Sequence, residues 1–228
     1  MKGIFRDRTE AGQCLARELK RYANLPDIIV LGLPRGGVPV AFEVAAALHA
    51  PLDVFVVRKL GTPGQPELAM GAIASGGMRV INEDVMRAQG IPIEVMDAVA
   101  EAEDRELKRR ELAYRGCQSE PDVTGRTVIL IDDGVATGAT LRAAIRALRS
   151  QHPAQLIVGV PTAARSTFME LRTEVDGFVA LMTPEPFFGV GEWYEDFSQT
   201  SDAEVAELLK RARENLATEP CAAADGRA

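Results

Sequence analysis

The chain has 228 residues, enough for one α/β domain with a sizeable core and a small appendage. Its formal charge of −7 argues against broad binding to nucleic acid or to an anionic membrane surface. No apolar run approaches the roughly 20 residues of a membrane span, and the start MKGIFRDRTEAG lacks the apolar stretch of a signal peptide, so a cytoplasmic location is expected. Cys14, Cys117 and Cys221 lie far apart with no CxxC spacing, which predicts reduced, unpaired thiols. His49 and His152 are isolated and read as structural or surface residues.

Residues 9–22, TEAGQCLARELKRY, carry Leu15, Leu19 and Tyr22 at helical spacing after a threonine cap, and predict an amphipathic helix. Residues 27–33, DIIVLGL, read as a buried strand. Pro34 stops it, Arg35, Gly36 and Gly37 make a tight loop, and Val40, Val44 and Leu48 begin a helical stripe. Amide groups at a helix start thus face open space beyond a strand, with a guanidinium beside them, which suits an anion. Residues 51–58 supply another strand that ends in Arg58, with Lys59 next. LGTPGQPELAMG follows without periodicity and predicts a mobile loop over 59–71.

Residues 69–74 and 78–82 flank Ser-Gly-Gly as a hairpin. Residues 94–114 predict a long polar helix with a sparse stripe of Val95, Val99, Ala102 and Leu107, within a helical insertion over 83–116.

The most informative stretch is VILIDDGVATGATL, residues 128–141. Four apolar residues suit a buried parallel strand, Asp132 and Asp133 stand at its carboxyl end, and a small-residue loop leads into a helix with Leu141, Ala144, Ile145 and Leu148 on one face. That order presents free N–H groups and a positive helix end to an anion. Thr137 and Thr140 add hydroxyls, and Gly138 permits close approach. Bare carboxylates repel phosphate, so Asp132 and Asp133 must meet another part of the ligand; a vicinal sugar diol, with two donors, fits. The lysine of a GxxxxGK[ST] loop is missing.

Residues 155–162, 163–175 and 177–182 read as strand, helix and strand, so the whole predicts a parallel, doubly wound α/β sheet with right-handed crossovers. Residues 183–200, TPEPFFGVGEWYEDFSQT, break the pattern, with five aromatics within eleven positions. A flat ligand stacked on Phe187, Phe188 or Trp193 and a satellite hydrophobic cluster are both consistent with this crowding. Asp202 is expected to cap a last helix to about residue 214, followed by a disordered tail over 217–228.

Residues 128–141 closely resemble the signature of type I phosphoribosyltransferases, which binds 5-phosphoribosyl 1-pyrophosphate (PRPP). The resemblance covers roughly residues 25–200, and the arrangement is most similar to a bacterial group known only as predicted phosphoribosyltransferases. It implies that Asp132 and Asp133 hold the ribose hydroxyls and that Ala136, Thr137, Gly138, Ala139 and Thr140 hold the 5′-phosphate. Arg35, Gly36 and Gly37 match the family's pyrophosphate loop, often formed with a cis or strained peptide. Arg58 and Lys59 resemble the start of the closing loop in adenine enzymes, and Val190, Gly191, Asp196 and Phe197 are similar to the hood of 6-oxopurine enzymes. Phe187, Phe188, Val190 and Trp193 are then the base contacts.

The implied protein is one domain over 1–216 with its hood mainly at 183–200. The implied reaction transfers the phosphoribosyl group of PRPP to a nitrogenous, purine-like base with Mg²⁺-dependent release of pyrophosphate. Mg²⁺ would be held through substrate and by Asp132, Asp133 or Asp196. Glu67 is the least unsuitable general base. Ala136 stands where many 6-oxopurine enzymes carry an aspartate, which leaves the base unassigned. Dimers are frequent in the family. A PRPP-binding or nucleotide-binding regulator, or another ribose-phosphate reaction such as phosphorolysis, remain alternatives.

Overall fold

The computed structural model describes residues 4–218. Its centre is a five-stranded parallel sheet in the order β2–β1–β6–β7–β8, with β1 Ile28–Gly32, β2 Leu52–Val54, β6 Thr127–Ile131, β7 Gln155–Thr162 and β8 Gly177–Met182. Side chains alternate along each strand, so Ile28 and Val30 enter one core cluster while Ile29 and Leu31 enter another. Helices α1 (Arg8–Leu19), α2 (Gly37–Leu48) and α7 (Asp202–Thr218) contribute to the first cluster. Helices α5 (Ala139–Arg149) and α6 (Arg165–Leu171) contribute to the second. Burial on both faces is why these strands read as unbroken apolar runs. Each fully buried leucine or isoleucine contributes about 1.5–3 kcal/mol of transfer free energy.

The ends of several helices differ from the sequence reading. The cap of α1 is Asp7, whose carboxylate accepts from the Glu10 amide at 2.8 Å, not Thr9. Ser201, not Asp202, caps α7 by accepting from the Glu204 amide at 3.1 Å, and α7 continues to Thr218. Residues 219–228, in which most of the expected tail falls, lie outside the described residues. Helix α6 is shorter than 163–175 because Ala163 still pairs with Val135 and Asp176 turns back to accept from the Leu156 amide at 2.7 Å.

The expected strand over 51–58 divides. Strand β2 stops at Val54, and β3 (Val57–Thr62) leaves the main sheet to pair antiparallel with β4 (Gln65–Ala74), which pairs with β5 (Met78–Ile81). The β4–β5 hairpin is the expected one. Residues 59–71, however, are β-hairpin and not irregular loop, with Gly64 at φ +78° in the turn. Leu60, Met70 and Ile73 are buried, but the Gly and Pro residues between them and register shifts around Gly61 hide the alternation.

The insertion forms α3 (Glu83–Gln89) and α4 (Ile93–Arg115). Its buried seam is Met96, Ala100, Leu107 and Tyr114, whereas Val95 and Ala102 are exposed, because this phase turns α4 toward Val205 and Leu209 of α7. At its end the buried Arg115 guanidinium donates from Nε to Asp53 at 2.8 Å and from Nη2 to the Val54 carbonyl, fastening α4 to the sheet edge.

Candidate active site

Strands β1 and β6 are adjacent, yet the chain leaves β1 toward β2 on one side and β6 toward β7 on the other. Such a reversal opens a crevice beyond the carboxyl ends of the two strands, the usual ligand position in open α/β sheets. Both loops singled out from the sequence lie there. The Leu33 amide donates to the Ile131 carbonyl at 2.9 Å. A Cβ on Gly37 would lie 2.7 Å from that same carbonyl oxygen, and one on Gly36 would overlap the Asp133 carboxylate. Gly36 has an ordinary right-handed φ of −62°, so space and not backbone freedom demands glycine here. The Pro34–Arg35 peptide is cis.

The loop over 134–140 is braced from behind by α6. The Val135 amide donates to the Thr162 carbonyl at 2.9 Å, the Thr167 hydroxyl to the Ala136 carbonyl at 2.6 Å, and the Thr167 methyl fills the space a Cβ on Gly138 would need. Gly138, at φ +72°, is the N-terminal cap of α5 and accepts the first helical bond from Arg142. The amides of residues 139–141 therefore open outward. They border a pocket of about 140 Å³ lined by Asp132 and residues 134–141, with Ala136, Thr137, Ala139 and Thr140 exposed along it.

The acidic pair is not symmetric. Asp132 lines this pocket, and its Oδ1 accepts from the Asp133 amide at 2.9 Å. Burial, and then the charge of Asp133, push its pKa well up. Asp133 instead points its Oδ2 at Arg8, which donates from Nε and Nη2 at 2.8 Å each. Burial raises the Asp133 pKa and Arg8 opposes that rise. Tyr194 donates its hydroxyl to the Asp133 carbonyl at 2.6 Å, and burial followed by the Asp133 charge drives the phenol pKa upward.

Against the sequence expectation, the Gly37 amide is not open to an anion, because it donates to the Leu33 carbonyl at 3.0 Å, and the cations Arg35 and Arg58 rest on carboxylates. Arg58 donates to Glu103 of α4 at 2.6 Å, and Arg35 lies 3.9 Å from Asp202 of α7. Asp202 also accepts from the Tyr114 hydroxyl at 2.9 Å; burial, then that bond, push the tyrosine pKa up to about 12. Arg58 and Lys59 are consecutive in β3 and point to opposite faces, so the two cannot serve one site together. Glu67 lies on β4, and its side chain is outside the described residues.

Within 183–200 the aromatics divide. Trp193 is 4% exposed and packs with Phe5, Ala11 and Tyr194, while Phe187 stacks on it at 6.4 Å. For these two rings the satellite cluster is what the structure holds. Val190 packs on Gly134 and so touches the phosphate loop, and Phe188, 79% exposed, is free to meet a ligand. Asp196 accepts from the Ser198 amide at 2.9 Å, which lowers its pKa, and it lines a separate pocket with Asp7, Arg8 and Thr9. The structure thus does not bring Asp196 into one metal site with the acidic pair.

The model of the phosphoribosyl transferase domain matches residues 8–186, most of the chain. The chain belongs to the phosphoribosyl transferase family. A Mycobacterium tuberculosis protein that carries a provisional phosphoribosyl transferase name is 46% identical over 214 residues, 94% of this chain and 48% of its own length. The chain therefore spans about half the length of such curated relatives. A Thermus thermophilus protein of known crystal structure is 39% identical and superimposes with a TM-score of 0.83 over 91% of this chain and 98% of that one. A shorter match of 58 residues, 25% of this chain and 32% of the relative, is 41% identical to the bifunctional protein PyrR of Actinobacillus pleuropneumoniae.

Among the described residues no group of three or more His, Cys, Asp or Glu could hold a metal by itself. The family's Mg²⁺ nevertheless fits the donors present. Asp132 lines the pocket beside the loop over 134–140, and a hard cation that arrives on substrate phosphates needs only one or two protein carboxylates. Asp132 would be its protein contact.

Sequence reasoning missed Arg8, Thr167 and Tyr194. Arg8 and Thr167 carry no local signal, since each acts on a loop far away in the chain. Tyr194 stood inside the aromatic crowd, but nothing in the spacing marked its hydroxyl.

Proposed function

We propose that the protein transfers the 5-phosphoribosyl group of PRPP to a nitrogenous, purine-like base and releases pyrophosphate in a Mg²⁺-dependent reaction. The observation that carries this reading is the pair of abutting anion loops at the β1/β6 crevice with Asp132 between them. The amides of residues 139–141 and the hydroxyls of Thr137 and Thr140 would anchor the 5′-phosphate, remote from the reacting carbon, so that binding energy positions the sugar. Asp132 would accept from the ribose hydroxyls and favour the positive charge that develops as the bond to pyrophosphate breaks. The Gly36 amide, Arg35 and Arg58 would receive the leaving group. Mg²⁺, held by Asp132 and substrate, would supply neutralisation of the negative charge that builds on the leaving group. Phe188 and Val190 would meet the base. The compartment in which this happens is expected to be the cytoplasm.

A second reading, PRPP binding without transfer, is favoured by the carboxylates that already occupy Arg58 and Arg35. Labelled PRPP with Mg²⁺ and a panel of bases separates the readings. Pyrophosphate release that depends on one base supports transfer. Saturable binding with no product supports a sensor, phosphate-dependent cleavage of a nucleoside monophosphate supports phosphorolysis, and absence of PRPP binding overturns both transfer and sensing.

A further inference from the structure

Arg8 stands where an arginine is unfavourable. It is the first residue of α1, at the positive end of the helix dipole, and its side chain is only 11% exposed. A buried cation at that end needs strong partners to offset its cost. It has them from three parts of the site. Nε and Nη2 meet Asp133 Oδ2, each at 2.8 Å, and Nη1 donates to the Ser198 carbonyl at 2.7 Å. The Phe197 ring lies 4.1 Å from the guanidinium carbon. A Cβ on Gly36 would lie 3.2 Å from Arg8 Nε, so the first loop borders it too. Asp133 is therefore occupied, whereas Asp132 lines the pocket.

We propose that Arg8 is a positioning residue that divides the acidic pair into unlike roles: it keeps Asp133 as its own internal counter-ion and leaves Asp132 as the one carboxylate presented to the pentose diol. The substrate in this statement rests on the phosphoribosyl reading; the clamp does not. Two adjacent carboxylates repel each other, and pairing one of them with Arg8 relieves that repulsion while the other faces the pocket. The same guanidinium joins the acidic pair to Phe197 and Ser198, so the acceptor side and the ribose side share one anchor.

The test uses the full chain, PRPP with Mg²⁺ as the probe, and calorimetric affinity as the readout. Asp132→Asn should weaken PRPP binding by about 100-fold or more, and Arg8→Gln by about 10-fold or more, since tenfold corresponds to about 1.4 kcal/mol. Adding Asp133→Asn to Arg8→Gln removes the stranded charge and should restore affinity to within about threefold of the parent. A double variant as weak as Asp132→Asn, or no better than Arg8→Gln, overturns the division of roles. A melting cycle run without ligand judges the clamp separately: Arg8→Gln and Asp133→Asn should each lower Tm, and the pair together should lower it by less than the sum. Strict additivity overturns the clamp. If the parent protein binds no PRPP, the phosphoribosyl reading falls, and the melting cycle still decides whether Arg8 and Asp133 act as a unit.

Discussion

The two anion loops at the β1/β6 crevice share a plan and differ in charge. At residues 136–140 an incoming phosphate meets open amides and hydroxyls with Asp132 beside them, and α6 holds the loop in shape from behind. At residues 35–37 the Gly37 amide already donates to the Leu33 carbonyl at 3.0 Å, and the guanidiniums of Arg58 and Arg35 rest on Glu103 and Asp202. On the proposed function, the first loop would bind by preorganisation alone. The second must exchange a carboxylate for a phosphate, so helices α4 and α7 have a say in what binds there. A sugar with one phosphate and one pyrophosphate end would meet a rigid socket and an adjustable one.

The largest effect tests what lies between the loops. Asp132→Asn should lower PRPP turnover by about 100-fold or more, as expected when a charged group acting on the transition state is removed. Next comes the rigid socket. Gly138→Ala forces a side chain into a left-handed position against Thr167, and should cost about 1–3 kcal/mol, read as weaker binding of ribose 5-phosphate as well as PRPP. The adjustable socket should respond the other way. Glu103→Gln releases Arg58 and should tighten inorganic pyrophosphate by up to about fivefold, the worth of a partly exposed ion pair, while ribose 5-phosphate affinity stays the same. Equal changes for both ligands would break the contrast between the loops.

The smallest effect lies behind the adjustable side. Burial, opposed by Arg115, pushes the Glu120 pKa up to about 7, with Glu111 and Asp53 raising it further. The folded state holds this proton more tightly than the unfolded chain, so stability is fully present below the unfolded carboxylate range and is lost as pH rises toward about 7. Glu120→Gln should raise Tm at pH 8 by about 2–4 °C and leave it nearly unchanged at pH 4. An equal shift at both pH values would contradict the buried-carboxylate account.

What could be read from the sequence was what is local. Strand β6, its acidic pair, the loop and α5 lie within twenty-three consecutive residues, 127–149, and each step has its own residue preference. Strands β7 and β8 are equally legible as apolar runs, although β8, at the sheet edge, is only half-buried along its length. The β3–β4 hairpin was not, since its Gly and Pro residues carry the composition of a loop while the pairing that orders it is tertiary. Along α4 the sequence pattern gives Leu107 and the half-buried Val99 but misses Met96, Ala100 and Tyr114, because apolar residues are sparse there and the packing partners that decide which face turns inward are tertiary. Asp133 was expected at the sugar; its partner Arg8 lies 125 residues away, beyond any local pattern.

A crystal of the protein soaked with PRPP and Mg²⁺ tests the central claim most directly. The account predicts the 5′-phosphate on the amides of residues 139–141, the ribose hydroxyls on Asp132, and pyrophosphate on the Gly36 amide and Arg35. Sugar density outside the crevice, or Asp132 turned from the diol while Asp133 leaves Arg8 to take it, would contradict the account.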